Sequence, residues 1–286
     1  MTADLTPDST DAEVSRGIAI EAGQLLLDLR ASYGVIDPED KERLTALRKE
    51  ADLASHHHIL RRFAELRPHD VVLSEEGKDD PVRLRAERVW IVDPLDGTRE
   101  YGLGLVDFAV HIVLWVRDVA APTGGHLEAS TVDLPAQGIT RSVLDAPEPL
   151  PVLPTDRPLM LVASRSRPPV TLERTVELLS ERLSSAGLTT QGIKVMDFGS
   201  VGGKVNEILC GRAAAYVHDT GFYEWDVAAP YLIAQQRGLV ISHIGGRPVL
   251  FNQADVKVKT LRVAHPMIAE HLDAALAQSA AEAAGS

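Results

Sequence analysis

Asp93 and Asp96 flank Pro94-Leu95 and lead into Gly97-Thr98, directly after the apolar Trp90-Ile91-Val92. The apolar run predicts the end of a buried strand, because Trp, Ile and Val suit covered, pleated surfaces. Pro94 lacks an N–H and Gly97 accepts positive φ, so the strand is expected to stop and turn there. Two carboxylates held on a rigid turn at the rim of a core can bind a cation and leave one face open to substrate. The competing reading is a turn whose aspartates bond their own backbone.

Other acids fall at expected element ends. Glu75 and Glu76 follow the strand Val71-Val72-Leu73, Asp226 stands behind Trp225 at the start of a helix, and Asp52 opens a fourth element. These are hard oxygen donors. Cys210 is the only cysteine and no pair of histidines has ligand spacing, so Mg²⁺ or Mn²⁺ is favoured over Zn²⁺. His56-His57-His58 point three ways on a helix and cannot share one metal. Carboxylates converging on one spot repel unless cations sit between them, which implies more than one ion. Two ions bridging a phosphate oxygen and a water split phosphate esters. Asp226 reads equally well as a helix N-cap.

Two lookalikes fail on spacing. Phosphatases with an aspartyl nucleophile carry two aspartates separated by one residue. Asp93 and Asp96 are separated by two and are expected to face differently, which argues against a covalent aspartyl intermediate. Gly199-Ser200-Val201-Gly202-Gly203-Lys204 is not a P-loop, since Phe198 and Val205 occupy positions that need Gly and Ser/Thr. Glycines and a lysine opening a helix still offer N–H groups and a cation to a phosphate; a tight strand-to-helix turn explains them as well.

The chain that must position these residues has 286 of them, 45% hydrophobic and 24% charged, enough for one large or two medium soluble domains. A net charge of −12 argues against general nucleic-acid binding. No apolar run reaches membrane-spanning length, and the acidic N-terminus resembles neither a signal nor a transit peptide, so a cytoplasmic protein is expected. Thr10 and Glu13 predict a capping box for a helix to about Arg30. A second helix is expected from Asp52 to Pro68, then a flexible loop at Gly102 and Gly104, and antiparallel strands over 107–116, 127–134 and 138–144. Five prolines between Ala146 and Pro158 mark the expected boundary between an N-terminal α+β domain, 1–150, and a C-terminal α/β domain, 151–286. Strand and helix alternate beyond it, and an Ala-rich end, 279–286, is expected to be disordered.

Asp93-Pro94-Leu95-Asp96-Gly97-Thr98, Ser74-Glu75-Glu76 upstream and Trp225-Asp226-Val227-Ala228-Ala229 downstream resemble the motifs of the inositol monophosphatase and fructose-1,6-bisphosphatase superfamily, in the family's order. The details resemble its bacterial CysQ-type branch. The resemblance implies a layered αβαβα sandwich and Mg²⁺-dependent removal of the 3′-phosphate of adenosine 3′,5′-bisphosphate by direct attack of a metal-activated water, in a homodimer. It implies two or three Mg²⁺ ions, with Mn²⁺ as substitute, on Glu75, Asp93, Asp96, Asp226 and the Leu95 carbonyl. Thr98 and Asp52 would orient the water beside Glu75. Asp96, Gly97, Thr98, Ser164, Arg165, Ser200, Gly202, Lys204 and Asp226 would touch the small phosphorylated substrate. Leu44 to Glu50 departs from the family's Lys-x-Asp-x-Ser-Pro-Val-Thr run, and Val217-His218 stand where nucleotide-specific relatives have an arginine. The alternatives are an inositol-phosphate or sugar-bisphosphate phosphatase on the same scaffold, and a non-catalytic regulatory protein.

Overall fold

The computed structural model describes residues 5–285. Helices α1 (Asp11–Tyr33) and α2 (Lys41–Leu66) precede a sheet of β1 (Val71–Ser74), β2 (Arg88–Asp96), β3 (Ala109–Arg117), β4 (Gly125–Leu134) and β5 (Ile139–Ser142), in that spatial order. A short helix, α3 (Thr98–Gly102), follows β2. The second half runs β6 (Leu159–Ser164), α4 (Leu172–Ser185), β7 (Ile193–Phe198), α5 (Val201–Leu209), β8 (Ala215–His218), β9 (Phe222–Tyr223), α6 (Glu224–Gln236), β10 (Val240–Ser242), β11 (Lys257–Val258), β12 (Leu261–Ala264) and α7 (Pro266–Gly285). Its main sheet is ordered β10-β12-β8-β6-β7, and β9 pairs with β11.

Three apolar cores stack these elements into the expected αβαβα sandwich. α1 and α2 bury Val14, Ile18, Leu26, Ile59 and Phe63 against Trp90, Val92 and Ile112 of the first sheet. α5 and α6 fill the space between the sheets, with Val205, Ile208, Val227 and Ala228 against Ile91, Val113, Tyr216 and Leu261. α4 and α7 cover the outer face of the second sheet. β1 and β2 are parallel, with Ser74 opposite Val92, so both strands end at one edge and Glu75 arrives beside Asp93.

Four local expectations are corrected. α2 begins at Lys41, where the Asp40 side chain accepts from the Arg43 N–H, so Asp52 lies mid-helix; the charged run 48–50 hid a face that Leu44, Leu47 and Ala51 bury. Gly102 closes the helical turn of α3 rather than opening a loop. The Ala-rich tail continues α7 to Gly285, in keeping with alanine's helix preference. Pro94 does not stop β2. The strand continues to Asp96 through a bulge, Asp93 pairing with His111 and Asp96 with Ala109. Three steps along β2 thus span two along β3. Regular alternation would send positions 93 and 96 to opposite faces; the extra residue returns both carboxylates to one.

Close packing at Gly202 holds α5 to the first sheet. A Cβ there would lie 2.4 Å from His111 Nε2 and 2.6 Å from Val132 Cγ1. Gly→Ala inside a helix ordinarily gains up to about 1 kcal/mol, whereas overpacking a core costs about 1–3 kcal/mol. Gly202→Ala is therefore expected to lower the melting temperature by about 3–6 °C in calorimetry; a variant at or above the wild-type value would contradict this packing.

Candidate active site

The bulge brings Asp93 and Asp96 together, and α6 adds Asp226 from its first turn. One carboxylate oxygen from each lies within 4.8 Å of the others. Asp93 is 1% exposed. Its Oδ1 accepts the Leu95 N–H at 3.0 Å, while Oδ2 is buried with no hydrogen-bond partner. The Glu75 carboxyl is close enough to Asp93 to compete with it for a proton. Asp226 is not the N-cap of α6, which is Tyr223, but the third helical residue, and its side chain reaches back to the cap. Its Oδ2 accepts the Tyr223 N–H at 2.6 Å, tying off the start of α6, and its carboxyl still faces Asp93 and Asp96.

Burial and mutual repulsion both disfavour ionising this cluster. Burial, then Glu75, Asp96 and Asp226, hold the Asp93 carboxyl well above the usual range. Burial followed by Asp96 pushes Asp226 up to about 8. Desolvation in the crowded cleft and the charges of Asp52, Asp96 and Glu76 push Glu75 up to about 7. The outer side of Glu75 meets solvent, which screens it, so Asp93 and Asp226 carry more of the repulsion. A buried, unpartnered oxygen among acids that resist ionisation fits a hard divalent cation.

Thr98 Oγ1 lies 3.2 Å from Asp52 Oδ1 and 3.0 Å from the Leu95 carbonyl oxygen. One hydroxyl proton serves one acceptor at a time; given to Asp52, it leaves the Leu95 carbonyl free. Burial, with Glu76 next, pushes Asp52 up to about 7. Gly97 starts α3 at φ +90°, where a Cβ would come 2.9 Å from the Asp107 carbonyl oxygen.

The predicted substrate side divides. Ser200 sits at φ 49°, unusual for a residue with a side chain. Its hydroxyl donates to Asp96 Oδ2 at 2.7 Å, and the Val201 N–H donates to the same oxygen at 2.5 Å. Lys204 is buried, with Nζ donating to the Ser200 carbonyl at 3.1 Å and lying 5.2 Å from the Tyr216 ring centre; burial lowers its proton affinity and the acids around it raise it. Gly202 faces His111 and Val132. Ser164 accepts the Arg167 N–H at 3.2 Å. Arg165 is fully engaged with the protein's own acids, donating to Asp197 at 2.9 Å, Glu100 at 3.1 Å and Asp107 at 2.8 Å. Asp107 also accepts the Gly199 N–H at 2.6 Å, so Arg165 braces the loop that carries Ser200.

Sequence reasoning missed several neighbours. His111 is fully buried, with Nε2 3.4 Å from Asp96 Oδ2; its sole signal was a polar residue inside an apolar strand. Glu100, Asp107, Arg167, Tyr216, His218 and Phe222 surround the acids without any common local pattern. His56 packs against Ser74 through a 2.9 Å hydrogen bond, His57 is exposed and His58 pairs with Glu21, in agreement with three separate directions.

The sequence profile of the inositol monophosphatase family matches residues 8–277. The chain is 37% identical over 283 residues to the 3′-phosphoadenosine 5′-phosphate phosphatase of Mycobacterium bovis, covering 96% of this chain and 97% of that protein. It is 28% identical over 223 residues to the 3′(2′),5′-bisphosphate nucleotidase CysQ of Escherichia coli, covering 75% and 82%. Among solved structures, Mycobacterium tuberculosis SuhB superposes with a TM-score of 0.61 at 25% identity over 93% of this chain and 95% of its own. The Thermotoga maritima IMPase superposes at 0.66 with 18% identity over 94% and 97%. Matching motifs, fold and full-length similarity agree: the chain belongs to the inositol monophosphatase family.

Proposed function

We propose that this phosphatase hydrolyses a phosphate monoester in a Mg²⁺-dependent reaction, and that its substrate is adenosine 3′,5′-bisphosphate, which loses the 3′-phosphate. The observation that carries the reading is the convergence of Asp93, Asp96 and Asp226 beside the Thr98–Asp52 pair. The substrate follows from the names of the relatives at 37% identity.

Glu75, Asp93, Asp96, Asp226 and the Leu95 carbonyl would hold the divalent ions. Bound there, they supply charge that offsets the phosphate oxygens and makes a water more acidic. Asp52 draws the Thr98 proton, leaving the Thr98 oxygen to accept from the attacking water and aim it. Early N–H groups of α3, at Gly97 and Thr98, lack partners within the helix and face the phosphate. Ser200 and Val201 bind one oxygen of Asp96, which orients its other oxygen into the cluster. One oxygen of Asp93 is bonded to Leu95 and one of Asp96 to α5, and their remaining oxygens would be taken up by the divalent ions, which leaves neither acid as a nucleophile. That supports direct attack by water over a phosphoenzyme.

Metal and pH should act together on stability. The cluster acids deprotonate near pH 4 when unfolded, but Glu75 near 7 and Asp226 near 8 when folded. Their contribution to the metal-free fold is complete below about pH 4 and is lost as pH rises through about 8. The buried His111 and His218, whose proton affinity burial lowers, act in the opposite sense, but that effect is finished by about pH 6.5. Between pH 7 and 8.5 the metal-free melting temperature should therefore fall. Mg²⁺ at a hundredfold excess over its dissociation constant should raise it by about 5 °C or more, with the larger increment at pH 8.5. An increment independent of pH would contradict the coupling.

Asp96→Asn is expected to lower kcat/KM by more than about a hundredfold, since even residues behind metal ligands commonly cost 10–100-fold. Thr98→Ala and Asp52→Asn should each lower kcat about 10²–10⁴-fold with little change in Mg²⁺ half-saturation. Near-normal turnover in any of the three would remove that residue from its role.

Steady-state kinetics with adenosine 3′,5′-bisphosphate, inositol 1-phosphate and fructose 1,6-bisphosphate should give the nucleotide the highest kcat/KM by at least about tenfold, the size of one good polar contact. A higher value for either sugar phosphate would replace the substrate reading while leaving the reaction class.

A further inference from the structure

The cleft beside the acids is lined by four fixed cations, Arg99, Arg165, Arg167 and Lys204. Three of them are occupied or turned aside. Lys204 is buried with its ammonium on the Ser200 carbonyl and over Tyr216. Arg165 spends all three of its donor nitrogens on Glu100, Asp107 and Asp197. Arg99 leans on Glu100 at 3.5 Å. Arg167 alone among the cleft's guanidinium groups makes no ion pair among the described residues. It is exposed, and its main chain is fixed by the Ser164 hydroxyl. It also stands near enough to Asp226 and His218 to shift the charge balance of both.

We infer that Arg167 is the specificity-determining cation for a second phosphoryl group, the one on the substrate that is not hydrolysed. This rests on the proposed phosphatase reaction, since the cleaved phosphate must occupy the carboxylate cluster. An unpaired guanidinium at the cleft mouth can grip a phosphate through two parallel N–H bonds, a geometry that lysine lacks. His218 and Phe222, stacked with centroids 3.9 Å apart, line the same cleft behind it. A monophosphate would leave the guanidinium in water, so the contact favours bisphosphorylated substrates.

The test compares wild type, Arg167→Ala and Arg167→Lys on adenosine 3′,5′-bisphosphate against adenosine 3′-monophosphate, with melting temperatures recorded for each. Wild type should prefer the bisphosphate. Arg167→Ala should reduce that kcat/KM ratio about 10- to 100-fold, through KM rather than kcat, and Arg167→Lys should restore part of it. Arg165→Gln serves as the contrast, because loss of a brace lowers both substrates together. A ratio unchanged in Arg167→Ala both for this pair and for fructose 1,6-bisphosphate against fructose 1-phosphate, with a wild type that does discriminate, overturns the role of Arg167 and leaves the proposed reaction standing. A wild type with no preference for either bisphosphate over its monophosphate overturns the role of Arg167 and the bisphosphate substrate, while leaving the reaction class. The same ratio measured on fructose 1,6-bisphosphate and fructose 1-phosphate shows which carrier presents the second phosphate. A drop confined to that sugar pair keeps Arg167 and overturns the nucleotide.

Discussion

The mutual repulsion of buried carboxylates is the constraint around which this molecule is arranged. Oxygens of Asp93, Asp96 and Asp226 lie within 4.8 Å of one another, and Glu75 adjoins them. At an effective dielectric near 20, each fully charged pair at that distance costs about 3–4 kcal/mol. A flexible site would relax by moving the acids apart. Here they cannot separate, because they are carried on three packed elements: Asp93 and Asp96 on the bulged end of β2, Glu75 on the turn after β1, and Asp226 on the first turn of α6. The repulsion is released by protons or by a cation, and at neutral pH a divalent ion is the more effective of the two.

Rigidity of that order needs support from both sides. β1 and β2 lie in the first sheet, whereas α6 is wedged between the two sheets by Val227, Ala228 and Ala229. Asp96 is the joint between these bodies. It belongs to the first sheet, yet its Oδ2 is held by Ser200 and Val201 at the start of α5. Arg165 strengthens the same joint through Glu100 and Asp107 on one side and Asp197 on the other. The positive φ of Ser200 is maintained because the loop is bonded at Gly199 by Asp107 and at Ser200 by Asp96.

Much of the candidate site was legible in the sequence because motifs of this kind are local. Asp93 to Thr98 carries two carboxylates, turn and hydroxyl in six consecutive positions, and the parallel pairing of β1 with β2 needs only two short apolar runs to bring Glu75 alongside. The alternation that predicted a helix-covered sheet in the second half was equally plain, and the Thr10–Glu13 capping box formed as expected. What was not legible depended on register and distance. Alternation along a strand cannot announce a bulge, so the facing of Asp93 and Asp96 was misjudged. The start of α2 lay under a charged run whose apolar face is only three residues wide. His111 and Asp107 gain their importance from α5, about 90 residues away in sequence, and no local spacing encodes that meeting. Arg165 was expected to touch substrate, and its three acidic partners, Glu100, Asp107 and Asp197, are brought to it only by the fold.

The cleft also answers how a protein of net charge −12 can attract a phosphorylated anion. Its cations are not a general positive surface. Lys204 lies buried beneath Ser200, and Arg165 neutralises acids that belong to the fold itself. Removing either would expose uncompensated carboxylates before it affected any ligand, and such losses are structural in origin. Attraction for substrate must therefore come from whatever positive charge remains unspent near the acids. In the proposed reaction the carboxylate cluster would gather that charge from solution as divalent ions. Affinity for the phosphate that is hydrolysed and the power to cleave it would then share one source, and the repulsion that burdens the metal-free fold is what creates it.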